Sequence, residues 1–190
     1  KTLVIHSVHG LSFHEYQSGL LNFFYISSEK IAAAFTDHFI CVGEVMKEKS
    51  LKAGIGKNAQ YSVIYSGFDV QPYLDADSRR NDIRKRLGIG EGQQVIGMIG
   101  RLYHLKGQEY LMKAFAEIAA KIPETRLLLV GDGILRKSLE EYAREKGIED
   151  KVIFTGLVPP ETIPGYVSAM DILAHTSLRE GLPKAVAQGF

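Results

Sequence analysis

Two cations stand between two glycines in the segment Gly100–Gly107, which reads GRLYHLKG. The forked guanidinium of Arg101 and the ammonium of Lys106 can together neutralise a diphosphate, and the amides at the start of a helix add further donors. The glycines let the backbone approach such a ligand closely. The same pattern also fits a surface loop with two solvated cations, so the segment indicates a diphosphate site without establishing one.

A carboxylate and an amide occur in a second segment that also opens a helical pattern. Glu180 lies shortly before Pro183, which suits a first helical turn because its missing N–H is not needed there. Gln188 follows Lys184 by four residues and therefore falls on the same helical face. A loop carboxylate can accept hydrogen bonds from sugar hydroxyls. The alternative is that Glu180 is a charge favoured by the dipole of the following helix.

Short β-branched runs alternate with longer helical patterns through most of the chain. The predicted strands are Thr2–Val8, His38–Val42, Ser62–Tyr65, Val95–Gly100, Arg126–Val130, Val152–Phe154 and Asp171–Ala174. The predicted helices are Leu20–Thr36, Glu44–Ala53, Arg79–Leu87, Gly107–Lys121, Ile134–Lys146 and Pro160–Ala169. This alternation predicts an α/β fold with parallel sheets, and continuously apolar strands indicate sheets covered on both faces. Both candidate segments follow strands, at the edge where such sheets bind ligands.

The composition excludes several classes of protein. The chain has 190 residues, of which 45% are apolar and 24% charged, so intrinsic disorder is excluded. A net charge of +1 gives no reason to expect nucleic-acid binding by bulk charge. One cysteine excludes a disulfide scaffold, and no apolar run approaches the about 18 residues of a membrane span. We expect a soluble cytoplasmic protein, or part of one.

A change of composition at Tyr65–Pro72 predicts a connection between two units. We place the boundary so that residues 1–70 form one unit and residues 71–190 the other. Lys1 enters a strand pattern directly, and Phe190 stops inside a helical pattern. We therefore expect two incomplete domains, with uncovered apolar surface that favours oligomers.

Taken together, these segments resemble the retaining glycosyltransferases of the GT-B fold, in the group 1 or family 4 branch. The pair Gly100-Arg101 and Lys106-Gly107 is similar to the Gly-Arg…Lys-Gly pair of that family, and Glu180 to the first acid of its Glu-x7-Glu motif. The stretch Val63–Asp69 resembles the strand and turn that lead into the family's nucleotide domain. The resemblance covers nearly the whole chain.

The resemblance implies Rossmann-like domains and a role for each candidate residue. Residues 1–70 would be the end of the acceptor-side domain, and residues 71–190 most of the nucleotide-sugar-binding domain. The catalytic residues would be Glu180, on the hexose hydroxyls, and His9, facing the transferred sugar. The other implied contacts are Arg101, Lys106, Gly181 and Leu182 to the donor diphosphate, and Gln188, Leu157 and Val158 to the ribose and nucleobase.

The implied reaction moves a hexosyl group from a UDP-, GDP- or ADP-sugar to a glycan or lipid-linked acceptor, with retention of configuration. No cofactor, metal or nucleic acid is expected. The implied setting is polysaccharide biosynthesis in the cytoplasm, with peripheral attachment to the inner face of the membrane. We expect the 190-residue chain alone to be inactive, because the cleft needs both complete domains.

Some residues depart from the family pattern and leave alternatives open. Gln188 replaces the second acid of Glu-x7-Glu and loses charge assistance in hydrogen bonding. A non-catalytic nucleotide- or partner-binding domain on the same scaffold is therefore the alternative. A dehydrogenase would bind NAD(P) near Gly131, but Arg136 stands where the dinucleotide fingerprint has its third glycine. A zinc site is not expected, since His6 and His9 point to opposite faces of a strand.

Two further segments have ordinary structural interpretations. The basic run at residues 79–86 contains acidic neighbours and is interpreted as a solvated helix face. The apolar cluster at residues 20–26 is interpreted as core rather than as a membrane-inserting surface, but in an incomplete domain part of it would be left uncovered.

Overall fold

A computed structural model describes residues 2–189, so the predicted ends at Lys1 and Phe190 lie outside the described residues. The chain divides into two compact units. Unit 1 comprises residues up to 67 together with 180–183, and unit 2 comprises residues 68–179 together with those from 184. The predicted boundary at residue 70 and the acceptor-side and nucleotide-sugar roles of the two parts stay predictions.

Unit 1 contains a parallel sheet in the order β1-β2-β3. Its strands are β1 (Ile5–Val8), β2 (His38–Cys41) and β3 (Tyr61–Val63), and its helices are α1 (Gly19–Ala33) and α2 (Glu44–Lys52). Strand β2 lies between the other two, which is why Phe39 and Cys41 are fully buried. The Phe39 ring stacks on Tyr61 at 4.6 Å between centroids, and Met46 of α2 completes this core.

Unit 2 contains a second parallel sheet, in the order β6-β5-β4-β7. Its strands are β4 (Gln94–Ile99), β5 (Thr125–Val130), β6 (Val152–Phe154) and β7 (Ile172–Leu173). Its helices are α3 (Gln71–Leu74), α4 (Arg80–Arg86), α5 (Gln108–Lys121), α6 (Arg136–Glu145), α7 (Ile163–Ser168) and α8 (Lys184–Gln188). The parallel pairing confirms the predicted α/β class.

Strand β5 is buried on both faces, as its continuous apolar sequence predicted. Leu127 and Leu129 pack into one core with α5 and α6. Leu128 and Val130 point the other way, into a core with α7. The alternation follows from the two-residue period of a strand.

The strand order of unit 2 creates a point where the direction of winding reverses. From β4 the chain proceeds outward through β5 to β6, and then returns to place β7 on the other side of β4. The loops after β4 and β7 therefore leave the sheet on either side of this point. Open α/β sheets bind ligands in the crevice outside the carboxyl ends of strands at such a position.

The basic run of residues 79–86 is not simply a solvated face, so that interpretation was wrong for two of its arginines. Arg80 and Arg84 both form ion pairs with Asp171, and their guanidinium groups also donate to backbone carbonyls at residues 168–170. Helix α4 approaches the start of β7 closely enough for both long side chains to reach it, which the spacing of charges in a sequence does not reveal.

The apolar cluster at residues 20–26 was also misinterpreted as core. Leu20, Phe23 and Phe24 of α1 are each more than half exposed in the described structure. A run of apolar residues indicates that a surface can be buried, but it does not show which other residues bury it. Across the described part of the chain, no helix combines the length and apolar character needed to span a membrane.

Candidate functional site

The loop after β4 presents Arg101 in a defined environment. The guanidinium carbon lies 5.4 Å from the centre of the Tyr103 ring, a cation–π arrangement. The backbone carbonyl of Arg101 accepts a hydrogen bond of 2.9 Å from the side-chain amide of Gln108, which is fully buried at the start of α5. Lys106 closes a single 3-10 turn, His104–Lys106, directly before that helix. The two predicted cations thus flank the entry to α5.

The loop after β7 reaches this same region. The Leu178 N–H donates to the Leu105 carbonyl at 2.9 Å, and the Thr176 hydroxyl donates to the Gly107 carbonyl at 2.9 Å. Gly107 has a left-handed backbone with φ of 73°, and a Cβ there would overlap the Thr176 carbonyl oxygen. The sequence predicted that a ligand could approach the backbone closely at Gly107. In the structure, the loop after β7 lies close to the backbone there.

A cavity of about 760 Å³ opens at the carboxyl ends of β4, β5 and β6. Arg101 lines it from the loop after β4, and Leu157 and Val158 line it from the loop after β6. Three predicted donor-binding residues are thus brought together in unit 2. Leu157 is 84% exposed, so its side chain is available to a ligand rather than used in the core.

Most of the cavity wall is apolar, but it carries a carboxylate that sequence reasoning missed. Among the described residues that line it, Arg101 and Asp132 have the only charged side chains. Asp132 follows β5 within Gly131-Asp132-Gly133, which the sequence analysis treated only as an incomplete dinucleotide fingerprint. The sequence feature that could have indicated this cavity residue is a carboxylate between two glycines directly after a buried strand.

Gln188 lies elsewhere in unit 2. It lines a second cavity of about 260 Å³, beside Phe68, Tyr73 and Val167. The residues that line the first cavity do not include it. The described structure therefore brings together Arg101, Leu157 and Val158 without Gln188.

The predicted residues at positions 180–182 belong to unit 1, as does His9. A Cβ on Gly181 would overlap the Met46 side chain and approach the His9 carbonyl oxygen at 2.6 Å. Leu182 packs against the core of unit 1. The His9 ring nitrogen Nε2 lies 3.0 Å from the Ser7 hydroxyl. Glu180 and His9 thus fall in the same unit.

Within residues 2–189, no group of three or more histidine, cysteine, aspartate or glutamate side chains is placed to hold a metal ion.

Comparison with known families decides the identity of the fold. The family model described as "Glycosyl transferases group 1" matches residues 79–188, more than half of the chain. The chain belongs to the group 1 glycosyl transferases. This assignment confirms the predicted group 1 membership, while retention of configuration and the family 4 placement stay predictions. Residues 79–188, which match the family model, include β4 to β7. They therefore include the whole lining of the larger cavity.

The chain is similar in sequence to individual glycosyltransferases. This chain is 39% identical over 101 residues to a 2-deoxystreptamine glucosyltransferase of Streptomyces kanamyceticus, covering 53% of this chain and 26% of that protein. It is 29% identical over 188 residues to the UDP-Gal:alpha-D-GlcNAc-diphosphoundecaprenol alpha-1,3-galactosyltransferase of Escherichia coli, covering 97% of this chain and 48% of that protein.

A solved structure is similar over almost the full length. Anabaena Alr3699/HepE in complex with UDP and glucose superposes with a TM-score of 0.84 at 26% identity, covering 98% of this chain and 50% of that one. This likeness confirms the predicted GT-B class of the glycosyl transferase fold. The chain spans about half or less of the length of the relatives named here.

Proposed function

We propose that this glycosyl transferase binds a nucleotide-diphosphate sugar at the cavity beyond β4, β5 and β6. One observation carries the proposal: Arg101 and the apolar pair Leu157 and Val158 line a single cavity at the ligand-binding edge of the sheet. A cation at one part of the wall suits a diphosphate, and exposed apolar side chains at another suit the face of a nucleobase. UDP-, GDP- and ADP-sugars all fit this description, and no further cofactor is proposed.

In the proposed reaction a hexosyl group passes to a glycan or lipid-linked acceptor with retention of configuration. Arg101 and Lys106 neutralise the diphosphate as it leaves, which stabilises charge that grows in the transition state. Positioning of the donor supplies much of the remaining rate enhancement. The roles of Glu180 on the hexose hydroxyls and of His9 on the transferred sugar belong to this proposal and rest on the family resemblance.

The names of the relatives support an enzyme rather than a non-catalytic binding domain. Both curated relatives described above are named for sugar transfer, and the Escherichia coli protein is named for a UDP-linked donor and a diphosphoundecaprenol acceptor. The Anabaena structure was determined with UDP and glucose. By analogy we propose a cytoplasmic reaction in polysaccharide biosynthesis, with peripheral membrane attachment if the acceptor is a lipid.

Calorimetric titration with UDP, GDP and ADP tests the donor site, and the 190-residue chain suffices because the cavity lies wholly in unit 2. Arg101→Ala and Lys106→Ala should each weaken the binding of the preferred nucleotide by about 10-fold, since each removes a charge-assisted contact. Lys113→Ala is the matched control, because Lys113 is an exposed cation within α5, away from the loop that carries Arg101 and Lys106. Unchanged affinity in both test variants contradicts the proposed site.

A further inference from the structure

One peptide group in the loop after β4 is hydrogen-bonded at both of its ends. This group joins the Arg101 carbonyl to the Leu102 N–H. At one end the Leu102 N–H donates to the Asp132 carbonyl at 2.9 Å. At the other end the Arg101 carbonyl accepts from the side-chain amide of Gln108 at 2.9 Å. Because a peptide group is planar, the two contacts together fix the backbone that carries the Arg101 side chain.

The contacts at the two ends of this peptide group differ in kind. Asp132 contributes its backbone carbonyl, which any residue at that position would supply. Gln108 contributes its side chain, so the contact at the Arg101 end depends on the residue type. Gln108 is the first residue of α5, and helical side chains lean towards the N-terminus of their helix. The amide therefore extends beyond the end of the helix, to the loop after β4.

The backbone before Gln108 is itself held by the loop after β7. The Gly107 carbonyl accepts from the Thr176 hydroxyl at 2.9 Å, and a Cβ on Gly107 would overlap the Thr176 carbonyl oxygen. Lys106, one residue earlier, ends the 3-10 turn that leads into α5. Gln108 therefore connects the residue that carries one predicted cation to the segment that carries the other.

Packing alone does not explain a glutamine at position 108. The side chain is 1% exposed, and its Oε1 atom has no hydrogen-bond partner among residues 2–189. A buried polar oxygen without a partner is destabilising, whereas a methionine of similar length would bury no such atom. What glutamine provides that methionine does not is the amide N–H that donates to the Arg101 carbonyl.

We propose that Gln108 is a positioning residue, whose amide holds the Arg101 peptide group so that the guanidinium faces the donor diphosphate. This inference rests on the proposed function and deepens it. Gln108 is fully buried and acts through Arg101, so it is not a catalytic residue. Without its amide the peptide group is free to turn, and binding of the diphosphate must then also order the Arg101 side chain, which lowers affinity.

A double-mutant cycle measured by calorimetry tests this role. Gln108→Met should weaken UDP binding by about 3- to 10-fold, as expected for one lost hydrogen bond. In the Arg101→Ala variant the same substitution should weaken UDP binding by less than about 1.5-fold, because the guanidinium that Gln108 positions is then absent. GDP or ADP replaces UDP if it binds more tightly.

Thr125→Val is the matched control for the loss of a buried polar group. Thr125 is also buried, and its hydroxyl oxygen also has no hydrogen-bond partner among the described residues. It begins β5, at the opposite end of that strand from the cavity. Thr125→Val should therefore leave the affinity for UDP unchanged.

Hydrogen exchange at the Leu102 amide tests the contact without any nucleotide. This N–H belongs to the peptide group that Gln108 holds, so Gln108→Met should speed its exchange by about 10-fold, while Thr125→Val should not. Thermal unfolding checks that each variant folds, and Gln108→Leu replaces Gln108→Met if that variant does not.

The outcomes separate this inference from the proposed function. Failure of the wild-type chain to bind UDP, GDP or ADP contradicts the proposed function, while faster exchange at Leu102 still supports the hold of Gln108 on the Arg101 peptide group. Unchanged exchange at Leu102 in Gln108→Met overturns the role of Gln108. Equal weakening of UDP binding by Gln108→Met with and without the Arg101 guanidinium also overturns it, because Gln108 would then act on the fold and not through Arg101.

Discussion

At the scale of single residues, the function of Arg101 depends on what surrounds it. Its guanidinium lies over the Tyr103 ring, and its carbonyl is held by Gln108. The Gly-Arg…Lys-Gly pattern identified the cation but not these two contacts, because both involve side chains that could have pointed elsewhere. Asp132 shows the same limit, because its place in the cavity wall follows from the sheet order and not from the sequence around it.

The contact between Arg101 and Tyr103 predicts a graded effect on nucleotide affinity. Tyr103→Ala should weaken nucleotide binding by about 2- to 5-fold, because an exposed cation–π contact contributes about 0.5–1 kcal/mol to holding the guanidinium in place. Tyr103→Phe should bind within about 2-fold of wild type, since the ring is retained and Tyr103 makes no side-chain hydrogen bond among the described residues. Calorimetry on the three proteins measures the effect. Equal weakening of nucleotide binding by both substitutions would show that the Tyr103 hydroxyl, and not the ring under Arg101, supports the affinity.

At the scale of elements, Asp171 connects α4 to the sheet of unit 2. Its carboxylate accepts from the Val95 N–H at 2.7 Å and pairs with Arg80 and Arg84. Burial alone would raise the pKa of Asp171, but the Val95 N–H and the two guanidinium groups outweigh burial and lower the pKa below its ordinary value. The carboxylate is therefore more acidic in the folded chain than in the unfolded one.

This difference in pKa predicts how stability depends on pH. The stabilisation is complete above the unfolded pKa of about 3.9 and is lost as the pH falls from there through the lower folded pKa. Asp171→Asn should reduce the free energy of unfolding by about 1–3 kcal/mol at pH 7. Its deficit relative to wild type should shrink as the pH falls below about 4.

Urea unfolding of the 190-residue chain at several pH values measures this deficit in the free energy of unfolding. Asp150→Asn is a suitable control, because Asp150 is exposed and its side chain makes no hydrogen bond or ion pair among the described residues. A deficit of the same size at pH 3 and pH 7 would contradict the ionic role of Asp171.

Elements were predictable from the sequence to the extent that they are long or fully buried. The helix beginning at Gly107 and the strand at Leu127–Val130 carry periodic patterns that the structure confirms. The four-residue helix α3 was not predicted, because it is too short for a 3.6-residue period to appear. The pairing of α4 with Asp171 was missed for a different reason, since its partners are more than 80 residues apart in the chain.

At the scale of the whole molecule, the sequence supported the α/β class and the family but not which surfaces are covered. Leu20, Phe23 and Phe24 have the composition of a core and yet are exposed in the described structure. Composition measures how apolar a surface is, whereas burial depends on what packs against it. Gln188, which the family resemblance places at the donor ribose, lines a cavity with α3 and α7, and its role stays a prediction.

The most direct test of the central claim is a crystal structure of this chain with UDP, or with whichever nucleotide binds most tightly. We expect the diphosphate against Arg101 and the start of α5, and the base along Leu157 and Val158. A nucleotide bound in the cavity beside Gln188, or one whose diphosphate makes no contact with Arg101 or Lys106, would contradict the account.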